Sequence, residues 1–161
     1  MNRTEYNTCV DRFSDNVYRF ILKACHNKEV AEDIVQDSFL TLWEHVQEIT
    51  MEKAKAFLFT TSYRRMIDIF RREKKNSDIE QVDSDAVYRE ISCPDLQEIL
   101  DRALSKLPPV QKTLILLRDY EDYSYKEIAD ITSLSESQVK VYIFRARNYL
   151  KEFIRKPDLI V

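Results

Sequence analysis

Hydrophobic residues recur at helical spacing in the first 72 residues of the chain, and they predict three helices. Residues 5–25 form one amphipathic pattern. Asn27 is a suitable N-cap for a second helix that runs to about Val46, and Thr50 opens a third helix that carries Phe57 to Arg72. We therefore expect a small three-helix unit at this end of the chain.

A polar stretch over residues 76–92, with few apolar anchors, interrupts this pattern as a solvated linker would. The helical period returns from Pro94, a suitable first helical residue, and Pro108-Pro109 ends one helix and starts the next, Val110 to Arg118. We predict an all-α protein of two small helical domains, residues 1–75 and 94–161, joined by an acidic flexible linker, residues 76–93.

Two capping boxes lie eleven residues apart in the second predicted domain, at Ser124 to Glu127 and at Ser135 to Gln138. Each marks the start of a helix, and Thr132-Ser133-Leu134 leaves room only for a tight turn between them. A short helix, a tight turn and a longer basic helix together describe a helix-turn-helix. We expect the longer helix to be the DNA reader.

The longer helix has one stripe of apolar residues that faces the core, and the residues on the opposite side of the helix therefore face outward. Val139, Ile143, Ala146 and Leu150 fall within one narrow arc at about 100° per residue, so that arc faces the core. Cations among short polar and apolar groups on the opposite side suit a major groove. A solvated surface helix would account for its cations through the helix dipole, but not for its outward apolar groups. The candidate duplex-binding residues are Ser137, Gln138, Lys140, Val141, Phe144, Arg145 and Asn148.

The third helix also has two faces, one apolar and one basic. Cations that follow a nucleic-acid backbone, with an aromatic that stacks on an unpaired base, are the ingredients of single-strand binding. The alternative is that Phe57 packs inside the first turn and the arginines only solubilise the helix end. The candidate residues for binding a melted strand are Phe57, Thr60, Thr61, Arg64, Arg65, Arg71 and Arg72.

The second helix is acidic opposite Ala31, Val35, Leu42 and Val46. DNA would be repelled from that face, so a protein partner is expected there, with an apolar residue at its centre. The alternative is an ordinary solvated surface. The candidate protein-binding residues are Asp33, Gln36, Asp37, Leu40 and Glu44.

Composition narrows the function classes. The 161 residues include no glycine, so glycine-based phosphate loops are absent, and with 33% charged residues the chain does not resemble a membrane protein. The net charge of −3 conceals an alternation. Residues 62–75 carry six basic and two acidic side chains. Residues 76–97 carry one basic and six acidic side chains, and residues 137–156 carry six basic and one acidic side chain. Two positive segments therefore flank a negative one.

Candidate chemistry is sparse. Cys9, Cys25 and Cys93 form no close pair, and two histidines do not complete a zinc site, so we expect neither a disulfide framework nor a metal. No catalytic constellation is evident, so we expect no enzyme activity, no cofactor and no small-molecule substrate. The polar first residues lack a signal-peptide pattern, which favours the cytoplasm.

Three motifs in fixed order resemble the sigma factors of bacterial RNA polymerase, in particular the small extracytoplasmic-function group. Glu29 to Trp43 looks like the helix that docks on the polymerase clamp, and Ala56 to Arg72 looks like the promoter-melting helix. The stretches from Leu107, through Tyr125 to Ala129, and over Val139 to Arg147 look like the family's helix-turn-helix.

The resemblance implies a sigma factor that binds core RNA polymerase and promoter DNA. The acidic face of the second helix would hold the polymerase. Residues 48–53, with Phe57 and Arg64, would meet the unpaired bases of the minus-ten element, and Lys140, Val141, Phe144 and Arg145 would read the minus-thirty-five element. The acidic linker would follow the RNA exit path.

The chain departs from the family pattern in three ways. Ser133 stands where a turn glycine is usual, and Arg64 stands where asparagine is common, which affects the base preferred at the melted position. The longer segments of primary sigma factors are missing, which implies regulation by a separate, possibly membrane-bound anti-sigma factor. Two rival hypotheses are a helix-turn-helix regulator that never joins polymerase and a protein-only adaptor.

Overall fold

A computed structural model describes residues 1–76 and 96–155, and every regular element in those ranges is helical. The prediction of an all-α protein is confirmed. All but the first residue of the predicted linker, residues 76–93, lies outside the described part of the chain. The helices are α1 (Arg3–Cys25), α2 (Lys28–Glu44), α3 (Met51–Asn76), α4 (Leu96–Ser105), α5 (Pro109–Ile115), α6 (Tyr125–Thr132) and α7 (Glu136–Arg155).

The first three helices pack against one another and begin close to where their caps predict. The Asn27 side chain accepts a hydrogen bond from the backbone N–H of Val30 and so caps α2, as expected. Helix α3 begins directly after Thr50. Helix α2 ends at Glu44 rather than near Val46, because His45 leaves the helical conformation and the chain turns there.

The helix predicted over Val110 to Arg118 has different bounds. It starts one residue earlier, at Pro109, which is tolerated because the first helical N–H needs no partner. Its end widens into a π-helical turn, Leu116–Tyr120, where the N–H of Glu121 donates to the carbonyl of Leu116 at 3.1 Å. Leu116 and Leu117 are buried in this turn.

Both predicted capping boxes are present, so the helix-turn-helix forms from α6 and α7. Ser124 and Glu127 exchange hydrogen bonds of 2.9 and 3.1 Å, and Ser135 and Gln138 exchange bonds of 3.0 and 3.1 Å. The turn between them passes through Ser133, whose φ of 61° lies in the left-handed region. Val139, Ile143 and Ala146 of α7 are buried, as the periodicity predicts, and Leu150 is half-buried.

The two halves of the chain share one hydrophobic core. Phe59 of α3 is fully buried, and its ring lies 5.4 Å from Phe20 of α1 and 5.2 Å from Tyr123, which precedes α6. These centroid distances are typical of favourable aromatic pairs. Helix α3 therefore contacts the helix-turn-helix directly, and the halves form one packed body in this structure.

Ser133→Gly is expected to stabilise the protein by about 0.5–1 kcal/mol, because glycine carries no Cβ penalty at positive φ. The midpoint of urea denaturation would measure the change. Asp130→Gly, on the same helix but at an exposed position within it, is the matched control and should destabilise by about 1 kcal/mol. Equal losses in both variants would contradict the argument.

Candidate nucleic-acid and protein interfaces

The outward side of α7 combines exposed apolar groups with cations. Val141 is 46% exposed and Phe144 is 67% exposed, although both are large hydrophobic side chains. Their neighbours on this surface, Lys140 and Arg145, are also exposed. All seven candidate duplex-binding residues reach solvent: Ser137, Gln138, Lys140, Val141, Phe144, Arg145 and Asn148.

Residues outside α7 contact two of its cations, Lys140 and Arg147. The ring of Tyr125, on α6, lies 4.7 Å from the guanidinium of Arg118 and 5.8 Å from the ammonium of Lys140. Asp119, in the π-helical turn, receives two hydrogen bonds from Arg147, at 2.6 and 3.4 Å. Arg118, Tyr125 and Arg147 were not among the candidate residues, because no local pattern in the sequence shows that the π-helical turn reaches α7.

The basic face of α3 is partly exposed. Arg64, Arg65, Arg71 and Arg72 are exposed, whereas Thr60 and Thr61 are half-buried. Phe57 is also half-buried, and its ring lies 5.9 Å from that of His45 at the end of α2. The aromatic candidate for stacking therefore packs against the protein on one side.

A cavity of about 210 Å³ separates the basic face of α3 from the turn of the helix-turn-helix. Arg64 and Arg71 lie on one wall, and Thr132 and Ser133 lie on the other. Tyr63, Ile67 and Asp68 complete the α3 side. The cavity therefore places the basic face of α3 beside the turn between α6 and α7.

The acidic face of α2 surrounds an exposed apolar pair. Leu40 is 56% exposed and Trp43 is 45% exposed, and Tyr6 of α1 meets the indole edge-on at 4.9 Å. Trp43 was not among the candidate residues, although its spacing of three from Leu40 places the two on neighbouring positions of one face. The carboxylates and the amide lie around this pair, at Asp33, Gln36, Asp37 and Glu44.

One contact joins the acidic face of α2 to the basic face of α3, which were predicted from the sequence as separate surfaces. The Asp37 carboxylate of α2 accepts a hydrogen bond from the Arg65 guanidinium of α3 at 3.2 Å, with both side chains about half exposed. Such an exposed pair contributes little to stability, in the range of about 0–1 kcal/mol. It does set the acidic and basic surfaces side by side.

Within residues 1–76 and 96–155, no group of three His, Cys, Asp or Glu side chains is arranged to hold a metal ion. Cys9 is buried and Cys25 is half-buried, and Cys93 lies outside those ranges. None of the helices described has both the length and the apolar character needed to cross a membrane.

Two family models match the chain, in the same order along the sequence as its two halves. The model for sigma-70 region 2 matches residues 9–76, and the model for sigma-70 region 4 matches residues 97–150. The first range covers most of α1 and all of α2 and α3. The second covers α4 to most of α7.

Curated relatives match over nearly the whole length. The RNA polymerase sigma factor SigV of Bacillus subtilis (strain 168) is 31% identical over 155 residues, which cover 94% of this chain and 92% of the relative. The ECF RNA polymerase sigma factor SigM of the same strain is 30% identical over 144 residues, 86% of this chain and 88% of the relative.

Solved structures share the fold. The sigma factor RpoE of Bartonella quintana, in a complex with the anti-sigma factor NepR, superposes with a TM-score of 0.78 at 24% identity, over 94% of this chain and 98% of that chain. CnrH, in a complex with the cytosolic domain of CnrY, superposes with a TM-score of 0.69 at 20% identity, over 95% and 89%.

Proposed function

The chain belongs to the extracytoplasmic-function (ECF) group of the sigma-70 family, and we propose that it divides transcription initiation among three of its surfaces. As a sigma factor, it directs RNA polymerase to promoters. In the proposed division, the acidic face of α2 binds core polymerase. The basic face of α3 holds the melted minus-ten element, and the outward side of α7 reads the minus-thirty-five element as duplex.

The observation that carries the proposal is the exposure of Phe144 and Val141 among the cations of α7. Large apolar groups turned away from the core need a partner that buries them. The major groove provides one, because a thymine methyl accepts apolar contacts while Lys140 and Arg145 reach phosphates or guanine edges. A merely solvated helix would gain nothing from Phe144 at 67% exposure.

The α2 surface has the composition of a protein-binding patch. Leu40 and Trp43 provide an apolar centre, and carboxylates form its rim. The rim repels DNA and attracts a basic protein surface, which sets orientation during association. We assign to it Asp33, Gln36, Asp37, Leu40 and Glu44, and we add Trp43.

The α3 surface suits a single strand. Its exposed arginines would contact the phosphates of the strand. The half-buried Thr60 and Thr61, with their shorter side chains, would make polar contacts with parts of the strand that lie close to the helix. Phe57 presents only its free side for stacking, because the other packs toward His45. Trapping unstacked bases here would offset the few kcal/mol needed to extrude each one.

We assign polymerase docking and promoter melting to residues 1–75, and duplex recognition to residues 94–161. The ranges matched by the two family models support this boundary. Residues 76–93, with their excess of carboxylates, are assigned as the connection that follows the RNA exit path.

Regulation by a separate anti-sigma factor is part of the proposal. The complexes of RpoE with NepR and of CnrH with CnrY show proteins of this fold bound to such partners or to a cytosolic domain. Because core polymerase is cytoplasmic, the chain would act there. It needs no catalytic group of its own, since polymerase performs the chemistry, and it needs no cofactor.

Replacing Asp33, Gln36 and Asp37 by alanine together is expected to weaken assembly with core polymerase by about tenfold or more, because the charged rim is lost. Competition against labelled wild-type chain would measure the affinity. Asp11→Ala, which removes an exposed carboxylate from α1, is the control. Unchanged assembly of the triple variant would contradict the assignment of α2.

Lys140→Ala with Arg145→Ala is expected to weaken recognition of the upstream duplex element about 100-fold, since each contact contributes about 1–3 kcal/mol. Run-off transcription from a dependent promoter and binding to the isolated duplex would report the loss, with polymerase docking intact. Arg3→Ala removes an exposed cation at the start of α1 and serves as the control. Loss of docking in the double variant would contradict the division between surfaces.

Arg64→Ala with Arg71→Ala is expected to slow promoter opening about tenfold, because two cations leave the path of the melted strand. Permanganate reactivity of unpaired thymines would follow opening. A promoter with a pre-melted minus-ten bubble should restore part of the activity. Arg12→Ala on α1 is the control, and a defect of equal size in it would argue against a role specific to α3.

A further inference from the structure

A buried lysine crosses the contact between the two halves of the chain. Lys112 of α5 is only 6% exposed, and its ammonium donates to the backbone carbonyl of Ala24 at 3.2 Å. The same ammonium lies 2.8 Å from Nε2 of His26. Ala24 and His26 belong to the end of α1, so this one side chain joins residues 86 and 88 positions away in the sequence.

The 2.8 Å distance between the Lys112 ammonium and Nε2 of His26 suits a hydrogen bond to a neutral imidazole ring. An ammonium group has donors only, so Nε2 must be an unprotonated acceptor and the proton of the neutral ring must be on Nδ1. His26 as a whole is an exposed residue, although its ring is partly covered where it meets Lys112, so solvent protons reach the ring. A proton on Nε2 would replace this hydrogen bond by the repulsion of two cations.

Within residues 1–76 and 96–155, no carboxylate forms an ion pair with Lys112. Asp101 of α4 acts electrostatically on both Lys112 and His26, the Cys25 thiol acts on Lys112, and Glu73 of α3 acts on Cys25. The ammonium is stabilised mainly by the carbonyl end of α1 and the neutral ring.

We propose that the contact between Lys112 and His26 is a proton-operated latch, which stabilises the packed arrangement of the two halves at neutral pH and shifts the equilibrium toward separated halves when His26 is protonated. The interface between the halves otherwise consists of apolar packing such as that of Phe59 on Tyr123. The contact between Lys112 and His26 adds a hydrogen bond that protonation can break and deprotonation can restore. Apolar packing does not respond to a change of one or two pH units, whereas this contact does.

The direction of the pH effect follows from both groups. Burial, and then the charge of Lys112, lower the pKa of His26 below its usual 6.5, and burial lowers the pKa of Lys112 to about 8. Both groups bind protons more weakly in the closed form, so closing releases protons. The His26 contribution is complete above pH 6.5 and is lost as the pH falls through the lowered pKa.

Release would free the surfaces between the halves. The cavity between Arg64, Arg71 and Ser133 would open, and α3 and α7 could reach separate promoter elements. This consequence rests on the proposed function. The latch itself is a property of the chain alone, so it is tested without polymerase or DNA.

The full chain would be studied by NMR of its histidine rings and by small-angle X-ray scattering between pH 5 and 8. The chain contains only two histidines, so His45→Gln identifies the signals. We expect His26 to titrate below pH 6.5 and the radius of gyration to rise with the same midpoint. A constant radius across this range, in a chain that stays helical by circular dichroism, would overturn the latch.

Two variants separate the latch from a general acid effect. His26→Gln keeps an acceptor for Lys112 but cannot be protonated, so its radius should stay constant over the range. Lys112→Met keeps most of the side-chain volume but removes the ammonium, so the acid expansion should shrink. Expansion in either variant as large as in the wild type would show that other groups cause it, and the proposal would fail. His45→Gln should expand as the wild type does.

Discussion

Burial of Phe59 between Phe20 and Tyr123 determines how the rest of the molecule is arranged. A phenyl ring with no exposed surface needs apolar partners on both sides, and here they come from α1 and from the loop before α6. The two halves are thereby held in one orientation. That orientation places the basic face of α3 beside the turn of the helix-turn-helix, and the exposed side of α7 away from the shared core.

Local features were predictable from the sequence because they depend on residues within one or two helical turns. The cap of α2 at Asn27, the two capping boxes and the inward stripe of α7 all follow from spacing alone. The π-helical turn, the Asp119–Arg147 pair and the burial of Lys112 were not predictable. Each of these features depends on a segment that is distant in the sequence, and the periodicity of a helix gives no information on which distant segment packs against it.

The charges of this nearly neutral chain are separated into acidic and basic surfaces. The acidic rim around Leu40 and the arginines of α3 adjoin through Asp37 and Arg65, yet they are suited to different partners. An ECF sigma factor has to hold polymerase and promoter at once, so adjoining surfaces of opposite sign are an economical arrangement. The net charge of −3 gives no indication of it.

The chain lacks glycine, so its left-handed backbone positions carry side chains, and one of them is His26 at a φ of 54°. Most helices that end this way would accept glycine at such a position without loss. Here that exchange would relieve local backbone strain while removing the ring that Lys112 meets. A substitution of His26 by glycine would therefore remove the contact with Lys112. A histidine at this position in a close relative would indicate that the relative can form the same contact.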